Sequence, residues 1–362
     1  MKRAFRLFSL LLCLACLCAS FSALAASPAA VEPAELTVVF LDVGQGDCAI
    51  LYTPNAAMLI DAGDSAHGNT VTAALEKLGI THLDYIVATH PHEDHIGGME
   101  AILSACTIGK IIAPKVTHTS DTYTGFLRAV KKAGLKITAA KSLKTYDLDN
   151  SVSFILLAPV KNHTELNDNS VVLKVICGDI SFLFAGDAET VSEKEMLSSQ
   201  KLRELLPSTV LKVGHHGSTT STSPAFAKAV SPSQAVISAG RDNSYGLPDS
   251  LILRRLTNFG TEVLRTDELG TILMTTDGKK LATDSDPEFV KAESGLSSTS
   301  EKGSSSDTSA DAPASSYIGN RNSKKFHRPS CSTLPLEKNR IYFFTRADAV
   351  SRGYSPCGNC RP

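Results

Sequence analysis

The stretch "HPHEDH", residues 90–95, places three histidines and two acids in six consecutive positions. Such a cluster is costly to bury without partners, so the fold must give it something to hold. His90 and His92 alternate, so both rings can point the same way from an extended loop, and Asp94 and His95 follow where a helix begins. Imidazole nitrogen and carboxylate oxygen suit zinc, manganese or iron. One tetrahedral ion cannot take four ligands from so short a stretch without strain, whereas two neighbouring ions can. Three further segments carry compatible donors. "FLFAGDAE" puts Asp187 just after an apolar strand, where it can bridge two cations. "VLKVGHHGS" puts His215 and His216 at another strand end, and "LNDNSVVL" puts Asn167 just ahead of a strand. The fold is thereby constrained to bring strand ends far apart in sequence to one place.

From Leu36 to about Thr283 the pattern alternates between strands and helices. "LTVVFLDV", "CAILYTP" and "AAMLIDAG" read as strands, the first two joined by a "GQGD" turn. "NTVTAALEKLGI" reads as a helix with Asn69 as N-cap and Gly79 as its stop. "YTGFLRAVKKAG", "SPAFAKAV" and "PDSLILRRLTNFG" also read as helices, and apolar strand runs lie between them. Strands outnumber helices and hairpins are frequent, which predicts two sheets packed face to face with helices outside.

At this point the chain resembles the metallo-β-lactamase superfamily, whose fold is an αββα sandwich. The signature H-x-H-x-D-H is His90, His92, Asp94 and His95. "LDVGQGDCAIL", "NDNSVVLK", "FLFAGDAE", "LKVGHHGS" and "NSYGLPD" resemble more narrowly the hydrolase domain of the ComEC-like competence DNA-uptake channel. The resemblance implies two divalent metal ions, zinc or manganese. His90 and His92 then serve one ion, Asp94 and His95 the other, and Asp187 bridges them. His215 is the expected late ligand, since it comes first after its strand. His216 then faces substrate or supports from behind, and the two can be exchanged. Asp61, in "LIDAGD", orients a ligand histidine. Asn167 stands where the superfamily usually has a third histidine on the first metal, and Leu247 where related sequences read histidine. Asp94 and His216 are the candidate catalytic residues.

The two ends differ from this body. Residues 1–25 read as a secretory signal, with Lys2, Arg3 and Arg6 before an apolar core and Ala23 and Ala25 as a small-x-small cleavage site. The expectation is a secreted protein with no membrane-spanning segment after cleavage. Lipid anchoring through Cys16 is the alternative. Residues 284–316, rich in Ser, Ala and acids, read as a disordered linker.

Residues 317–362 form a small module. His327, Cys331, Cys357 and Cys360 supply a complete tetrahedral shell for one structural zinc. The stretch resembles the Ada-type zinc-binding domain, with His327 where one cysteine would stand. Nine Lys or Arg against Glu337 and Asp348 give it a charge of +7 in a chain of net −1. That charge predicts attraction to nucleic acid, with Phe326, Tyr342, Phe343, Phe344 and Tyr354 available for packing or stacking. Cys48, Cys106 and Cys177 lack metal-ligand spacing and read as buried free thiols.

The combined expectation is a secreted metal-dependent hydrolase, a phosphodiesterase or nuclease acting on DNA by two-metal activation of water. An esterase for cell-envelope phosphodiesters of the phosphorylcholine type is the second reading. A non-catalytic DNA-binding accessory to DNA uptake is the third.

Overall fold

The computed structural model describes residues 36–290, 317–320, 322–328, 331–335, 339–343 and 354–360. The signal segment and the linker from residue 291 lie outside these. The chain divides into two compact units, with the boundary at Glu293 and Ser294.

In chain order the strands of the first unit are β1 (Leu36–Phe40), β2 (Ala49–Tyr52), β3 (Ala57–Ile60), β4 (His82–Val87), β5 (Thr107–Ala113), β6 (Ile137–Ala139), β7 (Thr145–Asp147) and β8 (Val152–Ala158). They continue with β9 (Val172–Cys177), β10 (Ile180–Phe184), β11 (Val210–Lys212), β12 (Gln234–Ile237), β13 (Glu262–Arg265), β14 (Thr271–Thr276) and β15 (Leu281–Asp286). One sheet runs β15-β14-β1-β2-β3-β4-β5-β6 and the other β13-β12-β11-β10-β9-β8-β7. The runs β15-β14-β1-β2-β3 and β10-β9-β8-β7 pair antiparallel. β3 to β6 are parallel, and so are β10 to β13.

Three apolar layers explain the sandwich. Leu36, Val38 and Phe40 alternate with Thr37 and Val39, so β1 feeds two layers at once. The inter-sheet layer joins Phe40, Met58 and Met274 of one sheet to Phe154, Phe182 and Phe184 of the other. Phe40 and Phe184 stack at 5.7 Å. Burying each such ring contributes about 1.5–3 kcal/mol. Outside the first sheet, Val71, Ile102 and Phe126 come from helices Gly68–Lys77, Met99–Ala105 and Asp121–Lys132. Outside the second, Met196, Phe226 and Leu256 come from helices Thr190–Ser198, Pro224–Val230 and Ser250–Asn258. The predicted αββα architecture is the observed one.

Several details differ from expectation. Asn69 lies inside its helix; Asp64 instead caps the short turn just ahead, accepting from the amides of Ala66 and His67. Helices Thr190–Ser198 and Gln200–Arg203 carry no clear apolar stripe, which hides them from periodicity. The folded part also runs past Thr283. β15 ends at Asp286, and Phe289 is buried with the Lys77 ammonium 4.2 Å over its ring. No helix among the described residues is long and apolar enough to cross a membrane.

The second unit holds a four-stranded sheet in the order β18-β16-β17-β19, built from β16 (Tyr317–Asn320), β17 (Lys325–His327), β18 (Arg340–Phe343) and β19 (Ser355–Pro356). Phe326 and Tyr354 are buried in it, so they serve as core rather than as stacking platforms. Phe344 and the side chains of Tyr342 and Phe343 lie outside the described residues.

Candidate metal centres

Asp61 follows β3 and the 90–95 stretch follows β4; Asp187 follows β10, and His215 and His216 follow β11. β3 and β4 are parallel neighbours in one sheet, and β10 and β11 in the other. The site is therefore built from loops at the carboxyl ends of parallel strands, contributed by both sheets. Gly97 and Gly98 let the 90–95 stretch reach it. A methyl group on Gly98 would overlap the carbonyl of Ala62, and one on Gly97 the backbone of Asp64 and Ser65.

Asp61 is completely buried and left-handed, with φ of 57°. Its carboxylate accepts from the Thr89 amide at 2.8 Å and the Thr89 hydroxyl at 2.6 Å. Its Oδ2 lies 2.8 Å from His95 Nδ1. A carboxylate can only accept, so Nδ1 carries the proton of that bond and Nε2 turns to the site.

Asp187 is the hub. Its Oδ2 lies 3.3 Å from His95 Nε2, 3.7 Å from His90 Nε2, 3.7 Å from His216 Nε2 and 3.8 Å from His215 Nε2. Asp94 Oδ2 stands 3.2 Å from His216 Nε2 and 3.7 Å from His95 Nε2. His92 Nδ1 is 3.0 Å from His90 Nε2. The ligand atoms of Asp94, His95, Asp187 and His216 all lie within 4.8 Å of one another. Most of these separations exceed hydrogen-bond length. They are the spacings of donors that surround a cation.

Two further properties fit divalent metal. Asp187 Oδ1, His95 Nε2 and Asn167 Oδ1 are buried without a hydrogen-bond partner, a cost of about 1–3 kcal/mol for each such group that coordination removes. The electrostatics also demand positive charge. Burial disfavours the His95 cation, yet Asp187, Asp94 and Asp61 outweigh it and hold that imidazole well above its usual range. His216, likewise buried, is held up at about 10 by Asp187 and Asp47. Burial pushes the Asp187 carboxyl up, but His95 and His216 bring it well below the usual carboxylate range. His90 is pushed well down by burial and by the like charge of His95.

The two adjacent histidines differ in burial and surroundings, in the sense that favours the exchange of their expected roles. His216 is buried in the four-residue group, with Nδ1 3.0 Å from the Ser238 carbonyl. His215 turns outward, with Nδ1 3.1 Å from Glu189 Oε1 and 3.1 Å from Thr220 Oγ1. Both residues are left-handed, with φ of 48° and 51°. That double turn carries the second ring, not the first, beneath the site. Asn167 donates from Nδ2 to Glu189 Oε1 at 3.3 Å, leaving Oδ1 as its free acceptor.

Sequence reasoning missed Asp47 and Lys212. Lys212, buried on β11, pairs with Asp47 Oδ2 at 2.8 Å, and Asp47 Oδ1 lies 3.2 Å from His216 Nδ1. Burial raises the Asp47 carboxyl, but Lys212 and His216 bring it down to about 2. Asp47, Asp61 and His95 also cluster closely, and there the Lys212 ammonium already supplies the cation beside Asp47. A lysine inside the apolar run "TVLKVG" was the available signal.

In the second unit, the ligand atoms of His327, Cys331, Cys357 and Cys360 also lie within 4.8 Å of one another. All three cysteines are free. Amides of Cys360 and Asn359 stabilise the Cys357 thiolate, bringing that thiol down to about 7. A set of three thiols and one imidazole suits tetrahedral zinc. Cys48 and Cys177 are buried free thiols as expected, whereas Cys106, expected to be buried too, is a half-buried free thiol.

Residues 304–362 match the metal binding domain of Ada. ComE operon protein 3 of Bacillus subtilis is 30% identical over 253 residues, covering 65% of this chain and 32% of the relative. Competence protein ComA of Neisseria gonorrhoeae is 33% identical over 247 residues, covering 68% of this chain and 33% of the relative. The chain thus spans about a third of the length of these curated relatives. Among solved structures, the metallo-beta-lactamase fold protein YhfI from Bacillus subtilis aligns with a TM-score of 0.46 and 14% identity, over 67% of this chain and all of that one. Residues 41–241 match the metallo-beta-lactamase superfamily, and with its ordered ligand segments gathered at one edge of an αββα sandwich, the chain belongs to that superfamily.

Proposed function

We propose that the protein is an exported, metal-dependent phosphodiesterase acting on DNA. The observation that carries this reading is Asp187 Oδ2 facing four imidazole nitrogens at 3.3–3.8 Å, the position of a carboxylate shared between two cations. Asp94, His95, Asp187 and His216 would hold one divalent ion; His90, His92 and Asp187 would hold the other, with Asn167 Oδ1 as a further acceptor. Divalent ions bound in such a set supply acidity to a coordinated water and positive charge to phosphate oxygens. The chain supplies the rest. Asp61 fixes the His95 ring, and the Ser238 carbonyl fixes that of His216. The Asp94 side chain is 34% exposed against 3% for Asp187, so Asp94 is the site carboxylate that an incoming water meets first. His215, held by Glu189, keeps Nε2 3.8 Å from Asp187 Oδ2 on the half-exposed side of the site, where it would meet a substrate phosphate.

The competence proteins among the relatives support DNA as the substrate. So does the +7 module, whose His327, Cys331, Cys357 and Cys360 would hold a structural zinc while its basic surface holds the strand. The leader read at residues 1–25 supports action outside the cytoplasm. The test pairs elemental analysis with DNA cleavage by wild type and Asp187→Ala. Wild type is expected to carry about three metals per chain and to cleave, and the variant to lose cleavage. Equal cleavage by both proteins overturns the assignment.

A further inference from the structure

A cavity of about 190 Å³ adjoins the metal centre. His90 belongs to both: its Nε2 faces Asp187 Oδ2 at 3.7 Å, and the residue is among those that line the cavity. The remaining wall is apolar, with Pro91, Val116, Phe126, Ile137 and Ala139 around it and the Tyr123 ring at one side. Tyr123 spends its hydroxyl on the Val116 carbonyl at 2.8 Å, which pins the loop after β5 as a rim. Lys115 lines the cavity, is exposed, and makes no ion pair among the described residues.

We infer that this cavity seats one unpaired nucleobase of the strand whose phosphate lies at the His90 side of the metal centre. The inference rests on the phosphodiesterase reading above and names what that site selects. Three observations converge on a base. The volume is below the roughly 300 Å³ at which pockets begin to enclose a whole drug-sized ligand, so one ring system fits and a base pair does not. The wall offers aromatic and aliphatic carbon with no free side-chain hydrogen-bonding group beyond Lys115. Base–aromatic contact of that kind tolerates any sequence. Lys115 at the edge meets the negative charge that accompanies a base in a strand, and repels a cationic headgroup such as choline. A base can enter only when unstacked, so the site prefers single strands and frayed ends over intact duplex.

The test uses the full, metal-loaded chain and probes too small to need the C-terminal module. One is the p-nitrophenyl ester of thymidine 5′-phosphate, a second is methyl p-nitrophenyl phosphate, and a third is p-nitrophenyl phosphorylcholine. Wild type is expected to hydrolyse the thymidine ester with kcat/KM about tenfold above the methyl ester, the scale of one stacked base. Ala139→Phe, at the half-buried end of β6, fills the cavity and should abolish that preference. Lys115→Glu, a surface change, should lower kcat/KM for the thymidine ester alone. Equilibrium dialysis of thymidine 5′-phosphate, which needs no turnover, should show about tenfold weaker binding to Ala139→Phe. Unchanged preference and unchanged binding in both variants overturn the base pocket. Preference for the phosphorylcholine ester overturns it too. If no ester is cleaved the phosphodiesterase reading fails, while dialysis still decides the cavity: binding lost in Ala139→Phe upholds it, equal binding overturns it.

Discussion

Replacing Asp61 separates what its carboxylate does for stability from what it does for metal. In Asp61→Ala three donors lose their acceptor: the Thr89 amide, the Thr89 hydroxyl and His95 Nδ1. The hydroxyl can turn to His90 Nδ1, 3.1 Å away. Two buried donors then remain orphaned, at about 1–3 kcal/mol each, and alanine at φ of 57° adds about 1 kcal/mol. The expected loss is therefore about 3–7 kcal/mol, a large share of the 5–15 kcal/mol typical of a domain. Asp61→Asn behaves differently. Asparagine tolerates the left-handed backbone and keeps an oxygen for Thr89. Its NH₂ then faces His95 Nδ1, which must become an acceptor, and the ring proton moves to Nε2. That nitrogen is the one aimed at Asp187, so the imidazole is blocked as a ligand while the fold stands. The expected outcome is less than about 1 kcal/mol of stability lost with a 10- to 100-fold drop in metal affinity. Urea unfolding reads the first quantity, and competition against a chromophoric chelator reads the second. Wild-type metal affinity in a folded Asp61→Asn protein would refute the orienting role.

Two other expectations lie away from that carboxylate. Glu193 is buried with Oε1 unpartnered, and burial raises its carboxyl above the ordinary value of 4.5. A raised folded-state value means that stability is greatest below 4.5 and falls as pH rises through the raised value. Glu193→Gln should therefore melt higher than wild type at pH 8, with the gap shrinking as pH approaches 4.5; a gap that does not depend on pH contradicts this. Cys357→Ser should remove about one zinc per chain and weaken binding to a single-stranded oligonucleotide, while hydrolysis of a small phosphodiester is unchanged. A variant that keeps its full zinc content, or whose small-ester rate falls in parallel, contradicts the division of labour between the units.

How much of this was legible beforehand depends on where each residue's signal lay. The segments that meet at the candidate site were readable because each joins an apolar strand to residues that are rare at strand ends, as in "FLFAGDAE". Which of His215 and His216 turns inward was not readable, since that depends on two consecutive left-handed backbones. Local pattern carries no trace of a strained φ in a histidine. Asp47 was hidden because "GQGD" reads as an ordinary turn, and its partner Lys212 is contributed by a distant strand. β15 and the helix Thr190–Ser198 were missed for a simpler reason. One is a polar edge strand and the other has no apolar stripe, so neither shows the period that reveals such elements. The cavity beside His90 is likewise invisible in sequence, being assembled from loops and strand ends that share no motif.

The paired left-handed histidines also bear on how this protein can be changed. Each non-glycine residue in that conformation costs about 1–2 kcal/mol, so the corner after β11 stores energy that the rest of the sandwich carries. Selection for heat resistance alone would find glycine at the half-buried position 215 an accessible gain, whereas at position 216 it would leave a cavity and strip the cation from beside Asp187 and Asp47. His215→Gly would make a sturdier sandwich and remove the Nε2 that stands 3.8 Å from Asp187 Oδ2. Directed evolution of this scaffold therefore needs a metal-retention screen from its first round, because melting temperature by itself rewards erasing the site.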